Sequence, residues 1–465
     1  MADQGNESSQ QSRGQICLEP GGAHDASKTD RKGAGLSAGQ ALVLRIDARQ
    51  MTHTAPIAIN VDRLIERIDS LAEMERKDDG SCSRLALTDA DRRGRDQVVQ
   101  WMHEAGLTVR IDQIGNITGL RAGRSAVRPV MTGSHIDTVG NGGRYDGIYG
   151  VIAGLEVLQS IQDADQVTER PLAVTVFTNE EGVRFQPDMM GSLVYSGGLT
   201  VEEALNAKAA DGACVGDELK RIGFAGTERC GEPVPHAFIE LHIEQGPILD
   251  MESGLLGAVE SLQGISWHEV TIRGVSNHAG TTPMHLRHDA GYCAARIVVF
   301  VRELARRMSA SQVGTVGSVR LTPNLINVIA NQAVISVDLR NTDEALLTAA
   351  ERELTAFLET LAQEEGVTIE KRGLVRTQPV IFDSKILETI ETVAAELGLP
   401  IRRMTSGAGH DAQMMARICP TAMIFVPSVG GISHNPREFT QARHLQLGAD
   451  ALLHTMLRLA RQDVR

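Results

Sequence analysis

Short apolar segments alternate with segments of helical periodicity along two separate stretches of this chain. In the first stretch the apolar segments span residues 107–111, 130–134 and 172–178, and a helical segment spans residues 150–161. The same alternation returns after residue 378. Apolar strands separated by helices are typical of an α/β domain with a largely buried sheet. The sequence therefore predicts an α/β domain to which two distant parts of the chain contribute.

Residues 264–377 have a different pattern. Segments 265–273 and 332–340 alternate like half-buried antiparallel strands, and segments 289–308 and 343–365 have helical periodicity. The order β-α-β-β-α-β predicts a small α+β domain inserted into the first. The expected divisions are a disordered N-terminal extension (1–57), the first part of the α/β domain (58–263), the inserted domain (264–377) and the second part of the α/β domain (378–465).

The N-terminal extension is rich in Gln, Ser, Gly and Asp. Such a composition is typical of disordered segments. It lacks the basic region followed by an apolar region that marks a signal peptide. We expect a disordered tail, or a chain whose true beginning is Met51.

The net charge limits the possible binding partners, and the cysteine pattern indicates the redox compartment. The net charge of −13 argues against nucleic acid and anionic membranes as partners, and no apolar run approaches the length of a membrane span. The six cysteines are scattered, with no CxxC pair. Cys214 and Cys230 could pair, but free thiols in a reducing cytoplasm are favoured.

Residues that commonly bind metals follow several of the predicted strands. His135 and Glu180 come directly after short apolar strands, and His242 follows the apolar segment 238–241. Sites form where strands of such sheets end. Asp146 lies in a glycine-rich loop and His434 in a loop after the last strand. Each could be an ordinary surface residue, but together they predict a site for one metal ion, or for two ions bridged by a carboxylate.

Two adjacent glutamates, Glu180 and Glu181, cannot share one role in a continuing strand, because adjacent side chains point to opposite sides. One could bind metal while the other faces the substrate as a general base; the alternative is a solvated strand end. Asp137 lies two residues after His135 and could hold the other ring nitrogen of that histidine, or its loop.

Seven motifs in one order resemble a known family. They are GSHIDT, GGRYDG, NEEG, HIEQGP, NHAGTTPM, GAGHDAQ and SHNPRE, within about residues 58–465. The set resembles the hydantoinase/carbamoylase branch of the dinuclear M20-type metallopeptidase clan. That branch includes N-carbamoyl-L-amino-acid hydrolases, allantoate amidohydrolases and one kind of β-ureidopropionase. The resemblance implies a metallopeptidase-like α/β catalytic domain with an inserted ferredoxin-like domain that serves as dimer interface and lid.

The resemblance also implies roles for the metal-binding and catalytic residues. His135 and His242 would bind one divalent ion, Glu181 and His434 the other, and Asp146 would bridge them. Glu180 would be the general base. Three histidines and two carboxylates suit zinc first, with manganese, cobalt or nickel as alternatives.

Residues that would contact substrate follow from the same resemblance. They are the carboxylate-binding Arg340 with Asn327, then Gln245 and His278, and the loop at Gly407 and Ala408. His278 would reach across a homodimer interface into the partner's site. His410, which follows this loop, could equally have a structural role.

The expected activity is hydrolysis of the ureido C–N bond of a small molecule, an N-carbamoyl-L-amino acid, giving the amino acid, ammonia and carbon dioxide. Allantoate is the main alternative substrate. An M20-type peptidase and a non-catalytic scaffold are the others. The motifs do not separate the ureido substrates, because the pocket for the substrate's side chain is not identified by any of them.

Overall fold

The computed structural model describes residues 57–74 and 76–461. The predicted disordered extension, apart from residue 57, lies outside the described residues.

Helices in the described residues begin where the sequence supplies caps. Asn60 and Thr88 accept a hydrogen bond from backbone N–H groups of the first turn that follows each of them, as helix N-caps do. The helices are α1 (Val61–Glu73), α2 (Asp89–Glu104), α3 (Ile148–Asp163), α4 (Met190–Tyr195), α5 (Val201–Leu205), α6 (Val215–Ile222), α7 (Ile248–Met251), α8 (Ala290–Met308), α9 (Glu344–Glu365), α10 (Ser384–Glu396), α11 (Asp411–Met415) and α12 (Ala442–Ala460).

Strands in the described residues form two sheets. The larger sheet contains β1 (Thr108–Ile111), β2 (Ile117–Arg121), β3 (Val130–His135), β4 (Leu172–Phe177), β5 (Ala237–Ile243) and β6 (Leu256–Leu262), and later β12 (Val380–Ile381), β13 (Ile401–Ser406) and β14 (Thr421–Val426). The smaller sheet contains β7 (Gly264–Arg273), β8 (Val313–Thr315), β9 (Val319–Thr322), β10 (Gln332–Asn341) and β11 (Thr368–Thr377).

The larger sheet has the strand order β1-β2-β4-β3-β5-β14-β6-β12, with β13 paired to β6. Strands β4, β3, β5 and β14 are parallel to one another and entirely buried. Their carboxyl ends therefore meet at one edge of the sheet. Helices α3 and α12 pack on this sheet. The predicted α/β fold is confirmed, although the sequence reasoning missed β2, β6 and β12.

The smaller sheet is antiparallel, with the order β11-β7-β10-β8, and β9 also pairs with β10. The chain order β7-α8-β8-β9-β10-α9-β11 matches the predicted β-α-β-β-α-β pattern, with one strand divided into β8 and β9. Helices α8 and α9 pack on the sheet around a core of their own, which includes Val270, Ile297 and Leu354. The inserted α+β fold is thus confirmed, and we retain the predicted domain boundaries as a proposal.

Two further observations concern membranes and thiols. No helix among the described residues is long and apolar enough to cross a membrane. Cys214 and Cys230 are free thiols, so the alternative pairing is not formed.

Candidate metal and substrate site

Asp146 lies between two groups of potential metal ligands, and each of its oxygens faces a different group. Its Oδ1 is 3.2 Å from Nε2 of His242 and 3.9 Å from Nε2 of His135. Its Oδ2 is 3.0 Å from Nε2 of His434, and that nitrogen is 3.6 Å from Oε2 of Glu181. A carboxylate placed in this way could bridge two ions. The structure therefore brings together all five residues that the sequence suggested as metal ligands.

The donor set fits cations on a further observation. Oε1 of Glu181 is buried and has no hydrogen-bond partner among the described residues. A buried carboxylate oxygen without a partner is costly unless a positive charge satisfies it. Imidazole and carboxylate ligands suit divalent transition metals such as zinc.

Backbone carbonyls orient two of the histidine rings. Nδ1 of His135 bonds the carbonyl oxygen of Asp137 at 2.9 Å, and Nδ1 of His242 bonds that of Ile243 at 2.8 Å. With an ion bound, these carbonyls would hold the proton on Nδ1 of each ring and leave Nε2 free to bind the metal.

Asp137 also supports the site, but its carboxylate does not bond the ring of His135, which was one of the two possibilities that the sequence left open. Its backbone oxygen, and not its carboxylate, holds the ring of His135. The carboxylate instead accepts the backbone N–H groups of Glu180 and Glu181 at 3.2 and 3.3 Å. It thus fixes the turn that presents both glutamates.

Unusual backbone conformations occur around the cluster. Asn179, Gln245 and His434 all have positive φ, at 57°, 57° and 52°. Gly147 also has positive φ, and a Cβ there would overlap the ring of His135. Strain of this kind concentrates at functional sites. The last glycine of GGRYDG, Gly147, is required both by its backbone angle and by the close approach of the His135 ring.

The carboxylates of the cluster carry more negative charge than its histidines can balance. Burial, and then the charges of Asp411 and Glu181, raise the pKa of Glu180 well above its usual value. Burial and the charge of Asp146 do the same to the pKa of Glu181. Burial opposes ionisation of Asp146, but hydrogen bonds and charges from His242 and His434 hold its pKa well below the usual value. Divalent ions would remove this imbalance.

Glu438 ties two ligand loops together and was not identified from the sequence. Its Oε1 accepts the backbone N–H groups of Tyr145 and Asp146 at 2.9 and 3.2 Å, and its Oε2 accepts the hydroxyl of Ser433 at 2.7 Å. A Cβ at Gly143 would overlap this carboxylate. The glutamate that ends the SHNPRE motif was the available signal, but its partners Tyr145 and Asp146 lie almost 300 residues earlier in the chain.

Replacing Glu438 by Ala is expected to weaken metal binding by about 10- to 100-fold, because supporting groups around ligands have effects of that size. Competition with a chromogenic chelator would measure the change. Glu438→Gln, which keeps an acceptor oxygen, should recover part of the affinity, and Glu396→Ala on the surface is the control. Equal affinities in all of these proteins would contradict the role.

A cavity of about 260 Å³ adjoins the cluster and is bounded by both sheets. The larger sheet and its loops contribute the ligand residues, Glu180, Gln245 and the segment from Ala408 to His410. The smaller sheet contributes Ile265, Trp267 and Arg340, together with residues of β11. Polar groups on one side and a mostly apolar wall on the other are typical of a small-molecule site.

Three predicted substrate residues lie at this cavity. Arg340 donates from Nη1 to the carbonyl oxygen of Gly407 at 2.7 Å, and its Nε and Nη2 are bonded to Asp338. Gln245 donates from Nε2 to Oδ2 of Asp146 at 2.8 Å. Ala408 lines the cavity. Gly407 does not line it, but its carbonyl oxygen accepts the hydrogen bond from Arg340, which does. Asp338, which orients the guanidinium, was not identified from the sequence.

His278 and Asn327 do not line the cavity. Both are exposed, and their loops are adjacent, because the N–H of Ala279 donates to the carbonyl oxygen of Asn327 at 2.9 Å. Within a single chain the structure therefore does not bring them to the metal cluster.

Comparison with known proteins gives the same family as the motifs. The sequence matches Peptidase family M20/M25/M40 over residues 131–458. It is 40% identical over 403 residues to an N-carbamoyl-L-amino-acid amidohydrolase of Rhizobium meliloti, covering 86% of this chain and 97% of the relative. It is 34% identical over 400 residues to an allantoate amidohydrolase of Bacillus subtilis, covering 85% of this chain and 97% of the relative. A crystal structure of a hydantoinase/carbamoylase family amidase from Burkholderia multivorans superposes with a TM-score of 0.86 at 42% identity, covering 88% of this chain and all of that one.

Proposed function

The chain belongs to the metal-dependent peptidase family M20/M25/M40 and is an amide-cleaving hydrolase, and from that premise we propose that it hydrolyses an N-carbamoyl-L-amino acid. The products would be the amino acid, ammonia and carbon dioxide. The observation that carries the proposal is Asp146, whose two oxygens each face a separate ligand group, opposite an arginine across a small cavity. The likeness to the Rhizobium meliloti enzyme supports the choice of substrate.

Two divalent ions would be held by the five clustered residues, one by His135 and His242, the other by Glu181 and His434, with Asp146 shared. Zinc is our first choice, ahead of manganese, cobalt and nickel. When bound, such ions lower the pKa of water and polarise the ureido carbonyl.

Glu180 would act as the general base. Its Oε2 lies 3.4 Å from Nε2 of His135, at the cavity wall, with no role in the two ligand groups. Its carboxylate would accept a proton from the attacking water and deliver that proton to the departing nitrogen. Gln245 would help to hold the ureido group, with the loop at Gly407 and Ala408 beside it.

Arg340 would bind the substrate carboxylate. A guanidinium offers two parallel donors to a carboxylate. Asp338 already orients this guanidinium, so the substrate would add to an existing ion pair. If the inserted domain moves as a lid, Arg340 and Asn327 would approach the metals when it closes. Identical structures with and without a substrate analogue would count against this motion.

Ammonia release by metal-reconstituted protein tests the function. We expect turnover of N-carbamoyl-L-amino acids, and little of their D forms, of β-ureidopropionate or of dipeptides. Allantoate is the second candidate, because the Bacillus subtilis relative is named for it. A clear preference for allantoate would move the assignment to that substrate.

A second copy of this chain is the proposed partner. Apolar side chains are exposed close to His278 and Asn327: Met284 (76%), Leu286 (59%), Leu325 (59%) and Ile326 (103%). Contiguous exposed apolar residues mark interaction surfaces. A homodimer through this surface would leave His278 free to serve the partner's site.

Sedimentation velocity at micromolar concentration should show a dimer, and Ile326→Asp should shift it towards monomer. Ile381→Asp, at another exposed isoleucine, is the matched control. A monomeric unaltered protein would contradict the proposal.

We also propose a cytoplasmic location, since the five described cysteines are free thiols.

A further inference from the structure

A second and larger cavity, of about 800 Å³, continues from the metal cavity. The two share five lining residues: Asp188, Met189, Val375, Thr377 and Gln413. Because these residues border both spaces, a molecule held at the metal cluster could extend directly into the larger cavity.

Eight of the fifteen residues that line the larger cavity are apolar. Leu193 of α4 and Met414 of α11 come from the catalytic domain, and Leu374 and Val375 come from β11 of the inserted sheet. Met189 stands where the two cavities meet. Methionine side chains adapt to apolar groups of different shapes.

An irregularity in β11 exposes part of this wall. The pairing of β11 with β7 shifts between Gly373 and Val375, so that Leu374 is an extra residue in the strand. Bulges of this kind redirect side chains and are frequent beside active sites. Leu374 and Val375 both line the cavity and remain 46% and 37% exposed. Apolar surface left open next to a polar site indicates a ligand.

Three charged residues also line the larger cavity. Asp188, Arg376 and Arg417 line it and are themselves exposed to solvent. Arg376 is already paired with Glu344 and Glu351 at 2.5 and 2.7 Å.

We propose that the larger cavity binds the side chain of the substrate, and that this side chain is large and apolar. The inference rests on the proposed function: with the carbamoyl group at the metal cluster and the carboxylate at Arg340, the remaining substituent on the α-carbon is the side chain. Of the two adjoining cavities, the larger one has room for a bulky substituent, with about 800 Å³ against about 260 Å³ at the metal cluster. Allantoate has no apolar group to place there.

Steady-state kinetics on substrates that differ only in the side chain test this assignment. The series is N-carbamoyl-glycine, -L-alanine, -L-methionine and -L-phenylalanine, with allantoate alongside. We expect kcat/KM for the methionine or phenylalanine substrate to exceed that for the glycine substrate by at least about tenfold, the order of effect that apolar pockets give.

Two variants reduce the cavity from opposite walls. Leu374→Trp and Leu193→Trp should each lower the ratio of kcat/KM for the phenylalanine substrate to that for the glycine substrate by about tenfold or more. Val167→Trp is the control, at a residue 52% exposed that precedes β4 and therefore lies at the opposite strand end from the site. Its ratio should match that of the unaltered protein.

Each outcome supports or overturns the assignment. No ammonia from any carbamoyl substrate, or a preference for allantoate, would overturn the proposed function and this inference together. Turnover of the carbamoyl series with no preference for large side chains would overturn the inference alone. So would a preference that survives in both tryptophan variants.

Discussion

Glu180→Gln is expected to lower kcat by about 10² to 10⁴-fold, the range that a positioned general base contributes. Glutamine has the shape of glutamate but cannot accept the proton of the attacking water. Because Glu180 lies outside both ligand groups, the variant should bind metal as the unaltered protein does. Ammonia release under saturating substrate, together with metal content by mass spectrometry, would measure both properties.

The neighbouring glutamate provides the matched control. Glu181→Gln removes a proposed ligand with the same chemical change, so it should lose metal affinity first and activity as a result. Excess metal should then restore part of the activity of Glu181→Gln and none of that of Glu180→Gln. If the two variants behaved in the opposite way, the roles of these residues would have to be exchanged.

Asp146→Ala is expected to remove both ions, because among the described residues this carboxylate is the one that both ligand groups share. Metal ions supply several kcal/mol of transition-state stabilisation in such enzymes, so kcat/KM should fall by on the order of 10³-fold or more. Inductively coupled plasma mass spectrometry after dialysis should find less than one ion per chain.

Thermal unfolding gives an independent measure of the same variant. A ligand that binds only the native state raises its stability, so added zinc should raise the Tm of the unaltered protein but not that of Asp146→Ala. Asp96→Ala, at an exposed residue of α2, is the control and should respond as the unaltered protein does. Retention of two ions by Asp146→Ala would rule out a bridging role.

Much of the metal and catalytic site could be predicted because it depends on local pattern. His135 is the last residue of β3, Glu180 follows β4, and His242 is the last residue but one of β5. Apolar periodicity alone therefore locates these three residues at one edge of the sheet. The parallel arrangement of these strands then brings them together. The inserted α+β domain was predictable for the same reason, since its two helices and long strands have clear periodicity.

Other parts of the site depend on contacts between distant segments. The role of Glu438 requires the loop around Tyr145, and that of Asp338 requires the orientation of Arg340 across the cavity. The larger cavity requires a bulge in β11 and helix α4, which lies almost 200 residues earlier in the chain. No periodicity in a single sequence contains these relations. The proposed contact of His278 with substrate would require a second copy of the chain, and that of Asn327 would require a closing motion of the inserted domain.

The order of strands in the larger sheet has a consequence for biosynthesis. Strand β14, made near the end of translation, pairs between β5 and β6, which are made much earlier. The inserted sheet, by contrast, is drawn from one uninterrupted stretch of chain. On the ribosome the inserted domain could fold while the sheet that carries the ligands still has a gap at its centre. We therefore expect a nascent chain arrested before Thr421 to resist proteolysis within residues 264–377 and yet to bind no zinc; competence to take up metal would mark the last step of folding.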